Sequence, residues 1–308
     1  MPAPSGPGTR AAACALLLAV SAAPAFASMR SEIAAAAKPL SGSAGVYVLD
    51  LRTGAETAWN ADETFPTASL IKVPLLAVLL DKVSKGGLDY DSPLVYRSTR
   101  AYPGGDMLGS FADGSTVTVG RLAFLTASMS DNTAALWVQE LDGGGAAVNA
   151  WLAARGFERT RVNSRTPGRE ADQRAYGWGQ TTPRELGRVF AAVWKGTLLT
   201  PAADEELARV LGRSFWDGEA LSAVPPTVRT LSKQGAVDAA RGECLAVGSP
   251  APGYVLCALT KDLKDHGWGH EQEGFAFLRR VSALVWRHFN PGRPYAPPEG
   301  AERFWKGM

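Results

Sequence analysis

Between Val73 and Val83 the sequence Val-Pro-Leu-Leu-Ala-Val-Leu-Leu-Asp-Lys-Val is apolar on almost every side of a helical wheel. A helix without a polar face has to be covered all round, so this run demands a shell of other elements. The chain can supply one: 308 residues, 46% of them hydrophobic, suffice for one large domain or two interleaved lobes. The residues before the run carry chemistry. Pro66-Thr67-Ala68-Ser69-Leu70-Ile71-Lys72 places a serine at the helix start and a lysine about one turn on, on the same face. A serine hydroxyl becomes a good nucleophile only when a neighbour takes its proton. A lysine can do so only when burial or nearby cations lower its pKa. Unpaired N–H groups at the helix N-terminus favour negative charge beside Ser69. By itself the pattern also reads as a plain helix start with a solvated lysine.

A net charge of only +2, with no block of like charges, argues against nucleic acid or an anionic membrane surface as the main partner. Arg10 precedes the short apolar run Ala11 to Val20, and Ala25-Phe26-Ala27 has the small-x-small form of a cleavage site. Residues 1–27 therefore read as a secretory signal, with a secreted or periplasmic chain beginning near Ser28. No later run of about 18 apolar residues exists, so no membrane span is expected. Cys14 would leave with the signal. Of the two other cysteines, Cys244 and Cys257, one lies on each of the strand-like segments 242–248 and 253–261, joined by the Pro-rich turn 249–252. Pairing Gly248 with Gly253 sets the cysteines opposite each other. A disulfide fits an exported protein, while two small buried thiols are the plainer expectation.

In chain order the pattern predicts a helix over 28–38, a hairpin from 45–51 and 56–60, and the Ser69 helix ending near Gly86-Gly87. An irregular stretch over 88–115 follows, with Gly104-Gly105-Asp106 in a loop. Helices are expected from Thr118 to Leu125, Thr133 to Leu141 and Ala146 to Ala154. Residues 156–180 show little periodicity, and so long a loop in a compact domain is usually functional. Thr182-Pro183-Arg184-Glu185 has the form of a capping box and opens a helix with Leu186, Val189, Phe190 and Val193 inward. Another helix over 202–211, strands over 229–237, 242–248 and 253–261, and a terminal helix from Phe275 to Phe289 complete the order. An α/β sandwich is implied: an antiparallel sheet from both chain ends (28–65 and 213–290) flanked by helices, with an all-helical lobe (66–212) inserted.

Three motifs align along this order: Ser69-x-x-Lys72 opening the buried helix, Ser130-Asp131-Asn132 between helices, and Lys233-Gln234-Gly235 on a strand. Each is weak alone; the ordered set is specific. The sequence resembles the class A β-lactamases among the serine β-lactamases and penicillin-binding serine hydrolases, over essentially the whole mature chain, including the loop ending in Thr181-Thr182-Pro183. The resemblance implies Ser69 as acylated nucleophile, Lys72 as proton acceptor and Ser130 as the shuttle to the leaving nitrogen. It implies Asn132 as a hold on the substrate's side-chain amide and Lys233 as positive potential for its carboxylate. An oxyanion hole from the N–H groups of Ser69 and Ala236 would complete the site. No cofactor or metal is implied; the partner is a small β-lactam or acyl-peptide, and a monomer is expected.

Two departures stand out. Gln234 replaces the family's usual small hydroxyl residue and is expected to narrow the carboxylate pocket. Counting back from Thr181-Thr182-Pro183, the glutamate that activates the deacylating water in the family falls on Thr166, which cannot act as a base at neutral pH. Glu170 and Asp172 are the loop carboxylates that a re-routed loop could bring in. Slow or atypical deacylation follows as an expectation. Only His266, His270 and His288 exist, all near the C-terminus, which leaves a Ser-His-Asp triad without support, and His266, His270 and Glu271 lack the pattern of a zinc site. Trp178 could line a substrate cleft, simple packing being the plainer reading. A D-alanyl-peptidase-like or other ester or amide hydrolase, and a non-catalytic binding protein on the same fold, are the rival readings.

Overall fold

The computed structural model of the protein describes residues 22–248 and 253–306; the predicted leader up to residue 21 and the turn 249–252 lie outside them. Five antiparallel strands form the main sheet in the spatial order Glu56–Trp59, Ser43–Asp50, Tyr254–Lys261, Ala240–Gly248, Arg229–Val237. Strands from the two ends of the chain thus pair directly, Ser43 opposite Lys261 through Asp50 opposite Tyr254.

The period of two in the strands builds two cores. Tyr47, Leu49, Cys244, Ala246, Val255, Cys257 and Leu259 point one way, onto Leu186, Val189, Phe190 and Val193 of the helix Pro183–Lys195. Val46, Val48, Leu245, Val247, Leu256 and Ala258 point the other way. There they meet Met29 and Ile33 of the helix Ala22–Ala37, and Phe277, Leu278, Val281 and Val285 of the helix Glu273–Phe289. The result is the sandwich expected, although the first helix begins earlier than the pattern suggested.

The helix Lys72–Ser84 is buried from Lys72 through Asp81, as a helix apolar all round requires. Helices Val119–Ser128, Asn132–Leu141, Gly144–Ala153 and Pro201–Leu211 surround it. Leu76 is fully buried in this layer, so Leu76→Ala is expected to cost about 2–5 kcal/mol and to lower the thermal midpoint accordingly. A midpoint unmoved by the change would contradict the central role of this helix.

Helix starts follow the side-chain caps in the sequence. Thr118 Oγ1 accepts the Arg121 N–H at 3.2 Å, Asp131 Oδ1 accepts that of Ala134 at 2.7 Å and Thr182 Oγ1 that of Glu185 at 3.1 Å. The second half of the expected capping box is used differently. The Glu185 carboxylate accepts the N–H groups of Arg159 and Thr160, tying the start of the long loop to this helix.

That loop is not structureless. Arg161–Val162 pairs with Gly179–Thr181, which pairs in turn with Phe65–Pro66, and a short helix, Glu170–Tyr176, lies between. Elements of two to seven residues are too short to show a period. Cys244 and Cys257 stand opposite each other, with Cα atoms 4.1 Å apart, and are joined as a disulfide, correcting the expectation of two thiols.

Candidate active site

Ser69 sits in a buried 3₁₀ turn, Ala68–Ile71, that runs straight into the helix Lys72–Ser84. Pro74 is tolerated there because the first helical turn has no intrahelical partners for its N–H groups. Ala68 just before it has φ +44°, and Ser130 has φ +56°. Left-handed backbone at residues other than glycine is strained and is kept only where the surroundings impose it.

Lys72 is fully buried, and four oxygens surround its Nζ. They are Ser69 Oγ at 3.0 Å, Ser130 Oγ at 3.1 Å, Asn132 Oδ1 at 2.7 Å and the Ser130 carbonyl oxygen, closer still. An ammonium has three N–H groups for these four. A neutral amine meets the same four with two N–H groups, suited to the Asn132 and Ser130 carbonyl oxygens, and a lone pair that accepts a proton from a hydroxyl. Burial favours that form, bringing the Lys72 pKa down to about 7 against the opposing pull of Asp106 and Asp131.

Asp131 explains the helix-cap reading of its motif, which coexists with the site. Besides capping, its Oδ2 accepts the Leu108 N–H at 2.8 Å. Asp106 Oδ2 accepts the Thr133 N–H at 2.8 Å, fastening the glycine-bearing loop to the same helix start. Asn132 is thereby held facing Lys72.

Ser130 Oγ stands between the two lysines, 3.0 Å from Lys233 Nζ. Lys233 is fully buried, and its pKa is lowered well below the usual range by burial first and by Lys72 second, with Glu243 and Glu219 opposing. Glu243 lies under the strand: its carboxylate accepts Ser232 Oγ at 2.7 Å and the Ala220 N–H at 2.6 Å. Burial, and then Glu219, push Glu243 up to about 8. This acidic pair beneath Lys233 has no periodic or motif signal in the sequence.

Gly235 lets the strand Arg229–Val237 lie against the serine turn. A Cβ there would stand 2.6 Å from Thr67 O, 2.8 Å from Ser69 N and 3.0 Å from Leu70 N. The backbone leading to Ala236 is therefore beside Ser69, and both residues line one cleft of about 800 Å³. Gln234 is not among the residues lining that cleft. It is 2% exposed, its Oε1 lies 3.4 Å from Lys233 Nζ, and its Nε2 has no partner.

Thr166 is turned away from the cleft. Its Oγ1 donates to Ser164 O at 3.2 Å and lies where a Cβ on Gly145 would be, 1.8 Å off. Glu170 Oε1 accepts the Gly168 N–H, and Asp172 pairs with Arg169 at 3.0 Å; neither lines the cleft. The loop presents Tyr176, Gly177 and Trp178 instead. Trp178 both packs and lines the cleft, its ring centroid 5.6 Å from Lys72 Nζ. Tyr102 and Trp268 add aromatic walls that no motif announced.

The sequence profile of the beta-lactamase enzyme family matches residues 28–289. A β-lactamase of Streptomyces fradiae is 33% identical over 179 residues, covering 54% of this chain and 55% of its own, so the match spans about half the length of that curated relative. Among solved structures, the β-lactamase of Sphaerobacter thermophilus superposes with a TM-score of 0.76 at 22% identity, covering 88% of this chain and 99% of its own. An ancestral class A β-lactamase gives 0.75 at 25%, covering 85% and 100%. A variant of PBP-A, in an acyl-enzyme complex with penicillin G, gives 0.76 at 24%, covering 86% and 97%. With a family match across most of its length and the three motifs gathered at one cleft, this chain belongs to the beta-lactamase enzyme family.

Proposed function

We propose that the chain is an exported serine hydrolase that opens β-lactam rings through an acyl-enzyme on Ser69 and releases the product slowly. The observation that carries the reading is the Lys72 amine, 3.0 Å from Ser69 Oγ and 3.1 Å from Ser130 Oγ, with Lys233 on the far side of Ser130. Lys72 takes the Ser69 proton as the Oγ–carbonyl bond forms, and Ser130 passes a proton to the ring nitrogen as the C–N bond breaks. The N–H groups of Ser69 and Ala236 receive the oxyanion, Asn132 holds the acyl side-chain amide, and Lys233 with Ser130 faces the carboxylate.

The long loop supplies no base for the second half-reaction, since Thr166, Glu170 and Asp172 all point elsewhere. This favours slow deacylation, the behaviour of a penicillin-binding protein, and the acyl-enzyme of the PBP-A variant is consistent with it. Export rests on the leader-like residues 1–27, and the family match begins just after them.

The test is a time course of intact mass with a penicillin. A persistent adduct of penicillin mass is the expected result. Rapid consumption of drug without an adduct would reject slow deacylation. Neither adduct nor consumption would reject the β-lactam reading in favour of another acyl substrate or a binding protein.

A further inference from the structure

We infer that Trp178 is a specificity-determining residue whose ring keeps water from the Ser69 ester, so that the acyl-enzyme outlasts the reaction that forms it. The inference rests on the acyl-enzyme reading given above and names the feature that makes release slow. Hydrolysis forms a bond from a water oxygen to the acyl carbon and breaks the bond to Ser69 Oγ, while a base carries one water proton to that oxygen. The water must stand about 3–3.5 Å from the carbon, with a base in hydrogen-bond reach. Lys72 Nζ, 3.0 Å from Ser69 Oγ, is a base at hand. The missing element is a place for the water.

Trp178 occupies the loop side of that place. Its ring lies over Lys72 Nζ, centroid 5.6 Å away, and lines the cleft together with Ser69 and Asn132. Its one polar atom is engaged elsewhere, Nε1 donating to Gln139 Oε1 at 2.9 Å. The ring therefore offers the cleft only carbon, so a water on that side gains no hydrogen-bond partner from the indole.

The ring is also held in place. Trp178 O accepts the N–H groups of Asn163 at 2.7 Å and Ser164 at 3.0 Å. Gly179 O accepts the Thr67 N–H at 2.9 Å, two residues before the nucleophile. A Cβ at Gly179 would strike Ile71 Cδ1 at 2.7 Å, so glycine is what lets the loop close onto the serine turn. These contacts tie the loop to the serine turn and seat the indole over the amine.

The test follows adduct lifetime by intact mass on the full mature chain, after a brief exposure to penicillin G or, separately, to p-nitrophenyl acetate. Trp178→Ala is expected to shorten the adduct lifetime about tenfold or more, because water gains access to the ester beside Lys72. Trp178→Phe keeps the aromatic cover and is expected to retain most of the lifetime. Trp178→Gln, similar in length but able to hold water, is expected to behave like the alanine variant and serves where that variant does not fold. A merely structural role would slow acylation and lower the melting point without speeding release. Lifetimes unchanged in both Trp178→Ala and Trp178→Gln, or shortened equally in Trp178→Phe, would overturn the inference. A wild-type chain that takes the ester but not penicillin would reject the β-lactam reading alone, the ester adduct still comparing the variants. One that takes neither overturns both.

Discussion

Replacing Lys72 by Met is expected to slow acylation of Ser69 by roughly 10²–10⁴-fold, the usual worth of a positioned general base. Met fills much the same volume but can neither accept a proton nor donate one. Adduct formation should rise with pH in the wild-type chain, because the acting form of Lys72 is the neutral amine and its pKa is lowered to about 7 by burial. The rise through neutrality should be absent in Lys72→Met. Stability should rise with pH as well. The folded-state pKa of about 7 lies below the ordinary 10.5, so as pH falls from 10.5 the unfolded chain takes up a proton that the folded chain resists. Wild type therefore loses stability relative to Lys72→Met across that window, with the full difference present below about pH 7. Stopped-time mass spectrometry across pH, with thermal melts beside it, reads both effects. Wild-type acylation rates in the Met variant would remove Lys72 from the proton path.

The site was legible in the sequence where chemistry imposes spacing, and obscure where geometry is assembled from afar. Ser69 and Lys72 are a helical turn apart, so a linear pattern predicts their contact, and Nζ stands 3.0 Å from Oγ. Ser130 and Lys233 carry no local signal of meeting. Their 3.0 Å contact depends on the strand Arg229–Val237 reaching the serine turn through Gly235. The sheet was legible because both of its faces are buried, and the Cys244–Cys257 register followed from one turn. The cysteines' bonded state did not follow, since two buried thiols satisfy the same register. The motif position of Gln234 suggested a cleft residue, but spacing gave no sign that its side chain would be buried with Oε1 3.4 Å from Lys233 Nζ. Glu219 and Glu243 were invisible for a related reason. A buried carboxyl looks like any exposed one until its neighbours in space are known, and for Glu243 these are Ser232 on the adjoining strand and the Ala220 N–H.

Gly235→Ala tests the joint on which the whole cleft depends. The substitution should help by ordinary rules, since alanine restricts the unfolded chain and is worth about 0.4–1 kcal/mol where the backbone allows it. Gly235 lies in a strand and not among the positive-φ glycines, so the backbone itself raises no objection. The surroundings do. All three atoms nearest to the added Cβ, at 2.6, 2.8 and 3.0 Å, belong to the backbone of residues 67–70 and have no rotamer to escape into. Relief requires the strand and the serine turn to part by several tenths of an ångström. Oxyanion donors work only at about 2.7–3.1 Å from the developing charge, and loss of one costs roughly 10²–10³-fold. Acylation in Gly235→Ala is accordingly expected to fall by that factor, with a further 1–3 kcal/mol of overpacking cost to the fold. Gly292→Ala, where nothing lies within 4 Å, provides the matched control and should leave both quantities where they are. If Gly235→Ala acylates as fast as that control, the Ser69 and Ala236 N–H groups are not the oxyanion donors, and stabilisation of the tetrahedral intermediate has to come from Lys233 and Ser130 alone.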